Sequence, residues 1–289
     1  MPEKQLTIRF WGTRGTTLPR VPSTKYGIHT TCVECIPTDG APFLFDLGTG
    51  AIPGGQSFID RGVHDVDVFF THLHSDHVFG IFGFPPLYNP HCNVRLHAVR
   101  EGISEELNTL FANPFHPLNL DQAPASIDAV QLVTDGQMER GDGLLTLRWR
   151  GIPHPQGCTA YRIDDGTNAV VFCTDVELAR TNALGGLYDL LTQPYPAGAV
   201  IVDGFFAPAE IDRFTGWGHS TWREACTLAE NAGGIDTVLI THHHPARTDS
   251  ELDELAGEAG AAACWVRDND LWTLTGNHMT MSDATLRGD

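Results

Sequence analysis

Residues 66–77 read Val66-Asp67-Val68-Phe69-Phe70-Thr71-His72-Leu73-His74-Ser75-Asp76-His77. The first five alternate and then run apolar, as a buried strand does. Straight after them come three histidines and a carboxylate within seven residues. On locally extended backbone His72 and His74 project to the same side, and Asp76 and His77 follow on the turn. Ligand-type side chains at the mouth of a buried strand predict a metal site, and one short segment of this kind can serve two adjacent ions. A histidine-rich surface loop without metal is the bland alternative, and the buried strand leading into it argues against it.

The whole chain bounds what that site can do. Its 289 residues suffice for a large core, and residues 1–289 are expected to form a single α/β domain. A formal charge of −18 repels a long polyanion, so extended nucleic acid is excluded as an expected partner. A small anionic substrate stays open, because divalent ions would dominate the local field. Seven scattered cysteines, with Cys32 and Cys35 the one close pair, read as buried thiols of a reduced compartment. The first residues lack an apolar signal core and no run approaches a membrane span, so the expected location is cytoplasmic, with no membrane partner.

Outward from residues 66–77 the pattern repeats: strand, then ligand-type residue. Strand-like runs cover 6–10, 30–36, 42–47, 94–98, 130–133, 144–150, 160–163, 169–173, 199–203, 237–241 and 271–274. The run 42–47 ends in Asp46, either a turn residue or an acceptor supporting a neighbouring ligand. The run 144–150 leads to His154, 169–173 to Asp175, 199–203 to Asp203, and 237–241 to His242-His243-His244. Helical spacing marks 78–84, 102–111 and 177–191, the last broken at Gly185-Gly186. Ser220 is expected to cap a helix running to Gly233, and Thr248 with Glu251 to open another with a capping box. The proline-bearing loop 113–125 is long enough to overhang a site, with Phe115 and His116 as residues that either reach substrate or sit in solvent.

Taken together, His72-x-His74-x-Asp76-His77, His154, Asp175, His219 and His242 resemble in order the metallo-β-lactamase fold superfamily. Gly218-His219-Ser220-Thr221 is similar to the histidine motif of its ribonuclease Z branch and of cyclic-nucleotide phosphodiesterase-like relatives. The resemblance runs from Phe10-Trp11-Gly12-Thr13-Arg14-Gly15 to about Asp249. It implies a four-layer αββα sandwich of two mixed sheets flanked by helices. It also implies one ion held by His72, His74 and His154 and a second by Asp76, His77 and His242, with Asp175 bridging. Two zinc ions suit that donor set, and manganese or iron would be accepted too. Asp175 stands where zinc β-lactamases of this fold carry a thiolate, which argues against that activity.

The expected reaction is hydrolysis of a phosphodiester by a hydroxide bridging the ions, oriented by Asp76, with His219 as the proton donor to the leaving group. Ribonuclease Z enzymes carry a long arm for transfer RNA between the segments that match His154 and Asp175. Here the interval from 154 to 175 is 21 positions, room for a hairpin alone. A small phosphodiester such as a cyclic nucleotide is therefore the expected substrate, with at most a second copy of the chain as protein partner. His29 and Phe206 depart from phosphodiesterase-like relatives, where a small polar residue and a tyrosine are expected. A carboxylic ester, lactone or sulfate ester hydrolase, and a metal-binding module without turnover, are the rival readings. Arg14 either meets a phosphate or pairs with an acid, and Phe205, Phe206, Trp217 and Trp222 either stack a base or pack the core.

Overall fold

A computed structural model describes residues 3–23, 25–112, 116–141, 143–179 and 184–282. Among them, β1 (Gln5–Gly12), β2 (Cys32–Pro37), β3 (Phe43–Phe45), β4 (Asp65–Phe69), β5 (Asn93–Ala98) and β6 (Ser126–Gln131) lie side by side in that order. A second sheet takes the next strands in sequence: β7 (Gly136–Arg140), β8 (Leu145–Ile152), β9 (Cys158–Asp164), β10 (Ala169–Cys173), β11 (Ala199–Asp203), β12 (Thr237–Thr241) and β13 (Cys264–Trp265). The chain then returns to the first sheet, where β14 (Leu271–Thr275) and β15 (His278–Met281) extend the β1 edge. Both sheets mix parallel and antiparallel pairs.

Alternating side chains turn these sheets into layers, because successive residues of a strand face opposite sides. Phe43 and Phe45 of β3 and Val170 and Phe172 of β10 meet in the core between the sheets. Their neighbours Leu44, Val171 and Cys173 face outward into two further cores. Those outer faces are covered by α1 (Ala51–Asp60), α2 (Ser75–Val78) and α3 (Ile103–Leu110) on the first sheet. On the second they are covered by α4 (Gly185–Thr192), α5 (Trp222–Asn231) and α6 (Asp249–Ala259). The result is the αββα sandwich. Between the sheets the Phe45 ring lies 5.2 Å from both Tyr161 and Phe172. Truncating Phe45 there would cost about 3–5 kcal/mol in lost transfer energy and cavity.

Several local expectations need correcting. Helix α1, which contains Pro53-Gly54-Gly55, is not among the expected helices. Pro53 is tolerated in the first turn, where backbone N–H groups lack helical partners. A Cβ on Gly55 would come within 2.6 Å of the Phe84 ring, so glycine lets this helix lie close to its neighbour. Gly185-Gly186 begins α4 rather than breaking a longer helix. Strand β6 lies earlier than 130–133, and β7, β13 and β15 are short or edge strands without a clear alternating signal. Ser220 does not cap α5; Thr221 does, in a capping box with Glu224. The Ser220 hydroxyl instead donates to Val176 O and accepts from Leu178 N–H. The capping box at Thr248 and Glu251 opens α6 as expected. Among the described residues no helix is long and apolar enough to cross a membrane.

Candidate metal centre

The site forms where β4, β8, β10, β11 and β12 all end toward one rim of the sandwich: β10, β11 and β12 pair in parallel, and β8 shares their direction because β9 runs antiparallel to both β8 and β10. Beyond β4 the chain turns from extended backbone at His74 into the short α2, which holds Asp76 and His77. His154 follows β8, Asp175 follows β10, and His242 follows β12 directly. Asp46, Asp175 and His242 adopt left-handed φ of 60°, 61° and 55°. Such conformations cost of order 1–3 kcal/mol each in non-glycine residues and gather at functional sites, where the surrounding fold imposes them.

The side chains converge. Donor atoms of His72, His74 and His154 lie within 4.8 Å of one another, as do those of Asp76, His77 and His242. Within these sets His74 Nδ1 is 3.2 Å from His154 Nε2, and His77 Nε2 is 3.2 Å from His242 Nε2. Asp175 stands between them. Its Oδ2 is 3.1 Å from His77 Nε2 and 3.4 Å from His242 Nε2, while its Oδ1 is 3.9 Å from His154 Nε2.

Outer contacts fix which nitrogen each histidine turns inward. His77 Nδ1 donates to Asp46 Oδ2 at 2.8 Å, and His154 Nδ1 donates to Gly218 O at 2.9 Å. His72 Nδ1 lies 3.0 Å from the Thr71 hydroxyl, which itself donates to Asp46 Oδ2. Each of these rings thus presents Nε2 to the cluster, and His72 Nε2 is buried without a hydrogen-bond partner. Asp46 is therefore the supporting acceptor rather than a simple turn residue, binding Thr71 N–H as well at 2.7 Å. Gly218 is required at its place, because its φ is +85° and a Cβ would stand 2.2 Å from His154 Nδ1.

Electrostatics agree with the geometry. Burial keeps His72 and His154 below the usual imidazole range, so both offer neutral lone pairs, the form that binds metal. Burial pushes the Asp76 carboxyl up, but His77 and His242 outweigh it and hold it below the carboxylate range. At His77 burial acts downward, yet Asp175, Asp76 and Asp46 raise it well above its ordinary value. A pocket in which buried carboxylates draw a proton onto an imidazole is one that favours positive charge. Imidazole nitrogens and carboxylate oxygens at this density suit a divalent cation.

His219 stands at the edge of this cluster. Its Nδ1 is 3.3 Å from Asp203 Oδ2 and 3.7 Å from Asp175 Oδ1. Phe205 stacks on its ring at 4.2 Å and 18°. Burial lowers His219, but Asp203 and Asp175 together raise it above the usual value. Asp203 is the residue that sequence reasoning left without a role. Its signal was an acid at the end of a buried strand, and its carboxylate also accepts from Ser220 and Val176 N–H groups.

Other residues lie outside the cluster. Arg14 is fully buried and donates to Gly27 O, Arg247 O and Ser23 Oγ, so it pairs within the fold and does not face the donors. His243 points away to Val266 O, and His244 accepts from Ala246 N–H, leaving His242 as the inward histidine of its triplet. Phe206 stacks on Phe214 at 4.3 Å, Trp222 packs near Trp265, and Trp217 is exposed with its edge toward Phe214. His116 bonds Leu118 O and stacks on Phe82, and Phe115 lies outside the described residues.

Comparison with known proteins follows the same lines. The model of the Beta-lactamase superfamily domain matches residues 43–244. Ribonuclease BN of Cronobacter sakazakii is 24% identical over 286 residues, covering 76% of this chain and 84% of that protein. The short form of human tRNase Z superposes with a TM-score of 0.67 at 15% identity, covering 92% of this chain and 98% of that one. Unliganded yeast PDE1 superposes with a TM-score of 0.65 at 13% identity, covering 91% and 97%. The similarity to the two solved structures is one of fold.

Proposed function

This chain belongs to the beta-lactamase superfamily, with the metallo-β-lactamase fold of hydrolases, and from that premise we propose that it is a dinuclear metal-dependent phosphodiesterase acting on a small substrate. The observation that carries the proposal is the placement of Asp175, whose two oxygens face two separate histidine sets. One ion would be held by His72, His74 and His154, a second by Asp76, His77 and His242, and Asp175 would serve both. Zinc is the leading identity for this donor set, with manganese and iron as alternatives. Bound there, such ions supply Lewis acidity and lower the pKa of water toward about 7.

The remaining chemistry falls to the chain's own residues. Asp76, anchored by Thr16 N–H and facing His242, accepts a hydrogen bond from the attacking water and orients it. His219 presents Nδ1 to the Asp203 carboxylate, which stabilises its protonated form and leaves Nε2 to give a proton to the departing oxygen. Phe205 covers one face of that imidazole and keeps water from it.

Ribonuclease and tRNase names among the relatives raise the case of a transfer RNA substrate. Against it stand the formal charge of −18 and the interval from 154 to 175, filled by the β9–β10 hairpin. A small phosphodiester, cyclic nucleotides included, is the better match. The test is a side-by-side assay of metal-loaded protein on bis-aryl phosphodiesters, cyclic nucleotides, aryl carboxylic esters, lactones and sulfate esters. Turnover of the phosphodiesters is expected; activity confined to carboxylic or sulfate esters would overturn the proposal.

A further inference from the structure

On the His72 and His74 side of the cluster lies a cavity of about 480 Å³, within the size range of small-molecule sites. Thr71, His72 and His74 are among its lining residues, so it adjoins the donor cluster. Leu73, Val99 and Leu110 give it an apolar wall. Arg100 also reaches it, but Glu106 grips that guanidinium through bonds of 2.8, 2.8 and 3.1 Å. Apart from the two histidines, the cationic group among the described lining residues is therefore already neutralised. A phosphate or carboxylate moved into the cavity would lose water and meet, among the described residues, no free cation beyond the two histidines, only neutral groups such as Thr134 and Gln156, which is costly. An apolar group would gain by leaving water.

Resting on the hydrolase reading above, we propose that this cavity receives an uncharged, apolar substituent of the substrate ester, up to aryl size, and that it is the substituent retained after cleavage. The retained group is assigned because His219 is not part of the cavity. It stands beyond His154, whose ring centre is 5.4 Å away, and against Phe205, so a leaving oxygen protonated by His219 departs on the opposite side. The cavity thus selects substrates by the size of one arm, while the donor cluster takes the charged centre.

Gly151 offers a clean test. It lies in β8 opposite Thr159, has no left-handed φ, and a Cβ built on it meets nothing within 4 Å. A side chain placed there grows into the cavity without backbone strain. Wild type and Gly151→Phe are compared on phosphodiesters sharing a 4-nitrophenyl leaving group and carrying either methyl or phenyl as second arm. The expected result is a fall in kcat/KM of about tenfold or more for the phenyl arm and less than about twofold for methyl. Equal falls for both arms, or no fall for phenyl, would overturn the assignment. Calorimetric binding of diphenyl and dimethyl phosphate gives a readout that does not need turnover: the preference for phenyl is expected in wild type and lost in the variant. A wild-type protein that shows this binding preference but cleaves no phosphodiester defeats the functional reading and leaves the cavity standing; one that shows no preference defeats the cavity. If Gly151→Phe melts early, Leu110→Trp narrows the opposite wall from α3 and replaces it.

Discussion

Asp67, in the middle of β4, and His72, three residues past its end, belong to two clusters built from the same kinds of group. Around Asp67 both carboxylate oxygens are paired with cationic or imidazole donors, and His97 Nδ1 is the atom of that cluster left buried without a partner. The Asp67 carboxylate accepts from Arg95 at 2.6 and 2.8 Å, from His97 at 2.8 Å and from Arg140 at 2.7 Å. Around His72 like groups are crowded against one another: nitrogen meets nitrogen at 3.2 Å twice, and His72 Nε2 and Asp175 Oδ2 are buried without a hydrogen-bond partner. Buried polar groups are normally paired, and those that converge without pairing need another explanation. The contrast teaches that composition and burial do not separate a structural ion cluster from a ligand site. Whether the groups satisfy each other does.

The sharpest way to break this contrast is to remove a carboxylate from the crowded cluster. Asp175→Asn is expected to lower kcat/KM by about 10⁴-fold, the scale of several kcal/mol of lost charge stabilisation. Bound metal, read by elemental analysis, should fall with it. Melting in the presence of a chelator should be unchanged or higher than wild type, since the variant relieves crowding among buried acids. A variant that keeps both metal and turnover would remove Asp175 from the centre. His219→Ala comes next, with turnover down about 10²–10³-fold and metal content intact, because a general acid contributes on that order. Loss of metal in this variant would place His219 among the ligands instead, a role its 3.7 Å distance from Asp175 leaves geometrically open.

A smaller effect is expected one layer out. Asp46→Asn keeps a polar group beneath His77 but cannot accept from His77, Thr71 N–H and Thr71 Oγ1 as a carboxylate does. Metal affinity or activity should drop by about 10–100-fold, the usual cost of losing a partner that orients a ligand. Competition against a chromophoric chelator measures it, and an unchanged affinity would make Asp46 a turn residue after all.

These residues also mark what the sequence could disclose. His72, His74, Asp76 and His77 were legible because ligand types crowd at the end of an apolar strand, where side-chain direction follows from backbone geometry. His154, Asp175 and His242 were legible as a set through the resemblance, and each again follows a strand. His242 is preferred over His243 and His244 because it comes first after the strand, and the structure turns it inward with a left-handed φ of 55°. Asp203 lay hidden because its role is a distance to His219, sixteen positions away in sequence and on another element. In sequence Arg14 stands between a phosphate and a partner acid, and only tertiary contacts reveal that Asp249 and the backbone carbonyls of Gly27 and Arg247 occupy it. Helix α1 was masked by Pro53-Gly54-Gly55, chosen for close packing rather than for propensity. Fold class, carried by strand patterns, is thus more readable than partnership across the chain.

The Asp67 cluster supplies the opposite prediction and the smallest in function. Asp67→Asn leaves Arg95, Arg140 and His97 facing an amide, and should destabilise the fold by about 2 kcal/mol while kcat/KM stays within about twofold. That figure sits below the range for breaking a buried ion pair because the Arg95 side chain is 37% exposed and partly screened. The pH dependence identifies the cause. Burial pushes the Asp67 carboxyl up, but hydrogen bonds from His97 and Arg95 and the charge of Arg140 outweigh it and hold it well below the usual range. A group whose folded pKa is depressed stabilises the fold above its unfolded value, about 3.9 for Asp, and that contribution fades as pH falls further toward the folded value. Denaturant midpoints of wild type and Asp67→Asn should therefore differ by a constant amount from pH 7 to about pH 5 and converge below about pH 4. A gap that persists undiminished into acid would mean that Asp67 acts through packing rather than charge, and the two clusters on β4 would no longer differ in the way their contacts imply.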